Sequence, residues 1–164
     1  MRNSLRLSLA TLVLAASSSV FAHTTVSNAW ARATVAQQQA TGIFLDLKSG
    51  HDKAQLVSVS TDIAASAELH EMRMDNNVMK MNAVKSIDLP NGEVVSLKPG
   101  AHHIMLMGLK KPLAAGDQVP LTLNVVHEDG FKETLSIQVP VRALGAGAPA
   151  ADHSGHHGGA EHKH

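Results

Sequence analysis

The chain has 164 residues, with 14 Lys and Arg against 14 Asp and Glu, 11 His, 7 Met, one Trp, no Tyr and no Cys. The lack of cysteine excludes disulfides, iron–sulfur clusters, Cys-ligated zinc and the blue-copper centre that depends on a thiolate. Balanced charge without a basic stripe, and almost no aromatic rings for bases to stack on, argue against nucleic acid as a partner.

Residues 1–22, MRNSLRLSLATLVLAASSSVFA, set Arg2 and Arg6 ahead of an apolar run and end on Val20-Phe21-Ala22. This is the pattern of a secretory signal peptide cleaved after Ala22. Its apolar core, Leu7 to Ala16, is shorter than the ~20 residues of a membrane span. No lipobox cysteine is present, so no stable membrane insertion is expected. Cleavage removes two basic residues, leaving 12 against 14 acidic ones, and delivers the product to an oxidising compartment. It also makes His23 the mature amino terminus, where amine and imidazole together suit Cu(II).

Residues 23–144 read as one domain of short strands. GIFLDLKSG (42–50) and AQLVSVSTD (54–62) alternate with period two. LHEMRMDNNVMKM (69–81) reads as a hairpin turning at Asn76-Asn77, since Asn tolerates the left-handed conformation of a tight turn. Pairing Asp75 with Val78 sets Met74 opposite Met79 and Met72 opposite Met81, with His70 diagonal to Met81 on the same face. A three-residue loop would send Met81 to the other face. SIDLPNGEVVSL (86–97) holds a Pro-Asn-Gly turn between two strands. In HHIMLM (102–107), Ile104 and Leu106 face the core while His103, Met105 and Met107 point the opposite way; His102 falls on the wrong side for the site. VPLTLNVVHEDGFKETLSIQVPV (119–141) is a hairpin with Glu128-Asp129-Gly130 at its tip. Regular turn signals without a helical stripe predict an all-β sandwich or barrel. From Gly145 the chain reads GAGAPAADHSGHHGGAEHKH, a tail expected to be disordered. It carries His153, His156, His157, His162 and His164, a metal-binding composition.

All six methionines after the initiator fall in the two histidine-bearing stretches 69–81 and 102–107. A single Met is usually core filler, and a single strand His is usually a satisfied polar residue. Their concentration points instead to a metal. Thioether and neutral imidazole are soft and borderline donors without charge, a set that favours Cu(I) over zinc, calcium or magnesium. Methionine cannot be lost to disulfide formation, although it oxidises to the sulfoxide. Uncharged donors also suit a site that must release its metal.

Enzyme signatures are weak. His70-Glu71 begins like a zinc-protease helix, but the second His is missing and the context is strand-like. An N-terminal-His copper enzyme built on His23 needs a further imidazole, with His51 or His127 the uncommitted ones outside the tail. An auxiliary Cu(II) site at His23 is the simpler reading.

Ten residues separate His70 from Met81, twenty-one separate Met81 from His103, and one separates His103 from Met105. This H-x10-M-x21-H-x-M spacing resembles the signature of the periplasmic copper chaperones known as PCu(A)C. The resemblance extends through NAWARAT (28–34), AELHEM (67–72), VMKMNAV (78–84) and LKPGAHHIMLMGLKKPLAAGDQVPLTL (97–123). It implies a cupredoxin-like Greek-key β-sandwich lacking the blue-copper cysteine, and a Cu(I) site of His70, Met81, His103 and Met105. By the same analogy Met72, Met74, Met79 and Met107 are not ligands, and the tail resembles extensions that take Cu(II). The expected function is a periplasmic, non-enzymatic chaperone. It delivers Cu(I) to a copper-accepting protein, either cytochrome c oxidase subunit II or another copper chaperone. The alternative is a copper or zinc scavenger without a dedicated acceptor.

Overall fold

The computed structural model describes residues 23–50 and 52–145. Residues 1–22, expected to be a signal peptide, His51 and the tail histidines His153, His156, His157, His162 and His164 lie outside the described residues. Ten strands follow one another with no helix among the described residues: β1 Thr24–Arg32, β2 Ala40–Ser49, β3 Ala54–Ser60, β4 Ala64–Asp75, β5 Val78–Ala83, β6 Ile87–Leu89, β7 Val94–Leu97, β8 His103–Leu109, β9 Gln118–His127 and β10 Lys132–Arg142.

Hydrogen bonding runs β5-β4-β8-β2-β1-β10-β9-β3-β6, with β7 pairing the second half of β2. The path folds into two layers, joined by the short parallel pairing of Ala31 with Val141 and Arg32 with Arg142. Inner faces of both layers meet in one core, with Ile43, Leu45, Leu69, Ile104 and Leu106 on one side and Leu56, Leu121, Leu123 and Val139 on the other. Each fully buried aliphatic side chain contributes about 1.5–3 kcal/mol, so this seam dominates stability. The all-β, single-domain expectation is met.

Strand periodicity accounts for most of these elements. The Asn76-Asn77 turn closes with φ of 49° and 62°, and Asp75 pairs with Val78, Met74 with Met79 and Met72 with Met81. Both turn residues are left-handed, the geometry whose twist matches that of the flanking strands. β9 and β10 form the expected hairpin, Lys132 pairing with Val126 and Pro140 with Gln118.

Two features were not legible in the alternation. β1 hides behind a bulge: Asn28 has φ 52°, the register to β2 shifts between Ser27 and Trp30, and the inside–outside alternation breaks there. The Pro90-Asn91-Gly92 turn does not close a hairpin. It carries the chain from β6, paired with β3, to β7, paired with β2 in the other layer.

Candidate metal centre

β4 lies between β5 and β8, so the two clusters, distant in sequence, share one face of one sheet. Register places His70 beside His103 and Glu68 beside Met105 on the β8 side, and Met72 beside Met81 on the β5 side. With Ile104 and Leu106 buried in the core, period-two alternation directs His103 and Met105 to the opposite face of the sheet, where His103 is itself buried, at 6% exposure, and Met105 half-buried. β5 is an edge strand with all six residues exposed, and Met81 retains 47% of its surface.

The tightest convergence is His103 Nε2 with Met81 Sδ, 3.2 Å apart. On the other side of the ring, His103 Nδ1 lies 3.1 Å from the Ala101 carbonyl. That oxygen can only accept, so Nδ1 carries the proton and Nε2 presents a lone pair toward the sulfur. Two tetrahedral donors at the distances d10 zinc makes to nitrogen and sulfur would lie roughly 3.5 Å apart. The observed separation is near that value.

His70 is oriented differently. Its Nε2 lies 3.1 Å from Glu68 Oε2, while its Nδ1 is buried without a hydrogen-bond partner. The His70 and His103 ring centroids are 5.8 Å apart. A cleft of about 340 Å³ opens beside this pair, with Met72, Met81, His103, Met105, Phe44 and Arg32 on its wall. His70 is not on that wall and stands next to it, through His103. Met72, set aside by the family analogy, is on the wall with the other thioethers.

Phe44 and Gly42 are functional neighbours that the motif spacing did not single out. Trp30 and Phe44 stack at 4.5 Å on the face away from the main core, and the Phe44 ring lies 6.3 Å from that of His103. Arg32 sits over Phe44 and Arg142 over Trp30, at 5.7 and 5.4 Å. A Cβ on Gly42 would come within 2.8 Å of Phe44 Cζ, so the missing side chain is what lets the ring lie over the strand. An aromatic two positions beyond a strand glycine was the available signal.

Chemically, the group is a cluster of neutral donors. Among the described residues no three His, Cys, Asp or Glu side chains converge to hold a metal, so any ion here depends on thioether sulfur. That composition favours a soft monovalent ion. His102 lies off the site, 3.5 Å from Glu71, which also pairs with Arg73 at 2.6 Å.

His23 belongs to a second cluster. Its backbone N–H donates to Glu133 Oε1 at 2.9 Å, and its ring lies 5.4 Å from that of His127. Of the two further imidazoles that a copper chelate at His23 would recruit, His51 lies outside the described residues and His127 has both its nitrogens engaged, Nδ1 by Asp52 at 2.7 Å and Nε2 by Glu133 at 3.1 Å. Burial pushes the His127 pKa down, and the hydrogen bonds to Asp52 and Glu133 outweigh it, so the net displacement is upward. The His127 hydrogen bond in turn holds the Asp52 carboxyl below its ordinary value, despite opposing desolvation. A ring that donates from both nitrogens has no lone pair for a metal.

The model of the LpqE-like family matches residues 24–141. This chain belongs to the LpqE-like family. Two of its relatives are Lxx21020, a candidate lipoprotein of Leifsonia xyli subsp. xyli, and RP573 of Rickettsia prowazekii. The first is 40% identical over 119 residues, which span 71% of this chain and 68% of the relative. The second is 32% identical over 115 residues, spanning 67% of this chain and 62% of the relative. Among solved structures, the Cu(I) form of DR1885 from Deinococcus radiodurans aligns with TM-score 0.54 and 28% identity, covering 77% of this chain and 83% of that one. The copper-bound PCuAC domain from PmoF2 aligns with TM-score 0.59 at 18% identity, covering 75% and 95%. This LpqE-like chain therefore has the fold of PCuAC domains, the cupredoxin-like sandwich expected from its sequence.

Proposed function

We propose that this protein is an exported copper chaperone that carries Cu(I) on His70, Met81, His103 and Met105. The observation that carries the reading is the approach of His103 Nε2 to Met81 Sδ at 3.2 Å, with His70 and Met105 on the same sheet face. The 28% identical Cu(I)-bound relative supports copper as the cargo. Four neutral donors bind a monovalent ion without burying an anionic ligand, and Met81, on an exposed edge strand, can leave the ion first. An incoming soft ligand then replaces it, and the cargo passes by exchange without being released to water.

In this proposal the signal peptide is removed after Ala22 and the mature protein works in the periplasm; the name of the Leifsonia relative supports an envelope location. The acceptor is the copper centre of cytochrome c oxidase subunit II or another copper chaperone. The tail histidines collect Cu(II), and His23 is an auxiliary Cu(II) ligand through its amine and ring. The tail's five imidazoles also favour a second reading, a metal scavenger without a dedicated acceptor.

An anaerobic Cu(I) competition titration tests the centre, comparing the full chain with one ending after Ala143. One tight equivalent should survive truncation and vanish in Met81→Leu and in His103→Ala. Met81→Leu preserves volume at a half-exposed site and should cost less than about 1.5 kcal/mol, so an unchanged melt alongside lost binding assigns the loss to the sulfur. Tight binding that disappears with the tail would refute the four-ligand centre and leave the scavenger.

A further inference from the structure

His70 and His103 pair directly across β4 and β8, yet they use opposite ring nitrogens for their protein contacts. His103 gives its Nδ1–H to a backbone carbonyl, while His70 Nε2 meets a carboxylate. An ionised carboxylate accepts only, so the His70 proton sits on Nε2. In the neutral ring this leaves Nδ1 as the lone pair, and Nδ1 is the atom that is buried without a hydrogen-bond partner. An orphaned buried acceptor costs about 1–3 kcal/mol. Folding tolerates that where the group has a ligand to receive.

We propose that Glu68 is a positioning residue that locks His70 in the Nε2–H form, so that His70 ligates metal through Nδ1 while His103 ligates through Nε2. Glu68 and His70 are two apart on β4, so alternation puts both on the sheet face that carries the thioethers, and Glu68 pairs with Met105. A carboxylate holding the far N–H of a ligating imidazole fixes ring orientation and raises ligand basicity. Glu68 is 43% exposed in its side chain, so it can hold the ring without adding a buried charge to a neutral donor set. The ligand half of this proposal rests on the copper reading above. The tautomer half does not.

The test is long-range proton–nitrogen correlation NMR on the full chain at mildly alkaline pH, first metal-free and then with one equivalent of Ag(I), a soft monovalent stand-in for Cu(I). The metal-free protein should carry the proton on Nε2 of His70 and on Nδ1 of His103. Silver–nitrogen coupling should then appear at His70 Nδ1 and His103 Nε2. Glu68→Gln, whose amide can donate to the ring and admit the other tautomer, should give His70 a mixed protonation pattern and weaken Ag(I) binding about 10–100-fold. The dispersed spectrum outside the site should be unchanged. A metal-free His70 protonated on Nδ1, coupling at its Nε2, or an unaltered affinity in Glu68→Gln overturns the proposal. Silver coupled to neither ring refutes the copper centre itself and with it the ligand assignment, and the metal-free tautomers then decide separately whether Glu68 orients His70.

Discussion

The buried charge network around His127 makes a stability prediction that can be worked through in numbers. The His127 side chain is 1% exposed and that of Glu133 is 8%. His127→Ala leaves the Glu133 carboxylate buried, with the His23 backbone N–H as its remaining described hydrogen-bond donor. Stranding one member of a buried ion pair costs about 3–5 kcal/mol. The Asp52 pair is more open to solvent and adds little. Taking the lower end, and ~250 cal/mol/K of unfolding entropy for a domain of ~120 residues, about 3 kcal/mol lowers Tm by about 12 °C. Trp30, the only tryptophan and 3% exposed, supplies the fluorescence signal for the melt.

The pH profile isolates the network from the other histidines. His127 has a raised folded pKa, so its contribution is complete below the ordinary value of 6.5 and is lost as pH climbs through the raised one. Asp52 has a lowered folded pKa, so its contribution is present above 3.8 and is lost as pH falls through the lowered one. The stability gap between the parent and His127→Ala should therefore be widest between these two ordinary values and narrow as the solution becomes alkaline. A gap that stays constant up to about pH 9 would refute the assignment of His127 as a buried imidazolium.

Further variants probe the site and its supports. Gly42→Ala should cost about 1–3 kcal/mol in denaturant melts, because Phe44 is pinned by Trp30 and Arg32 and cannot retreat. Since Phe44 adjoins His103, the same variant should weaken Cu(I) binding in competition titrations. Asn77→Ala should destabilise the hairpin by about 1–2 kcal/mol, and Asn77→Gly should be tolerated with Cu(I) affinity intact, because φ is 62° there. The double variant Met74→Leu/Met79→Leu should keep its tight Cu(I) equivalent, since that pair lies one step farther out along the ribbon than Met72 and Met81; loss of the equivalent would move the centre to the hairpin tip.

Much of this molecule was written in local pattern. Alternation in 42–50, 54–62 and 119–141 gave the strands, because a half-buried sheet repeats every two residues. The Asn76-Asn77 turn set the β4–β5 register, because two adjacent left-handed residues allow only one tight closure. Alternation also separated His103 and Met105 from Ile104 and Leu106, and so predicted which face of β8 turns away from the core. What only the tertiary structure decided depends on which strands become neighbours. The bulge at Asn28 concealed β1, and the switch at Pro90-Asn91-Gly92 sent β6 and β7 to different layers, since local turn chemistry does not state its partner strand. Glu68 and His70 sit two apart on β4, as do Gly42 and Phe44 on β2, and β8 settling between those strands is what sets His70 and Phe44 on either side of His103. The enclosure of His127 by Asp52 and Glu133 likewise joins residues up to 75 positions apart. That last contact is chosen by burial across the whole domain, and no short window of sequence contains both His127 and Asp52.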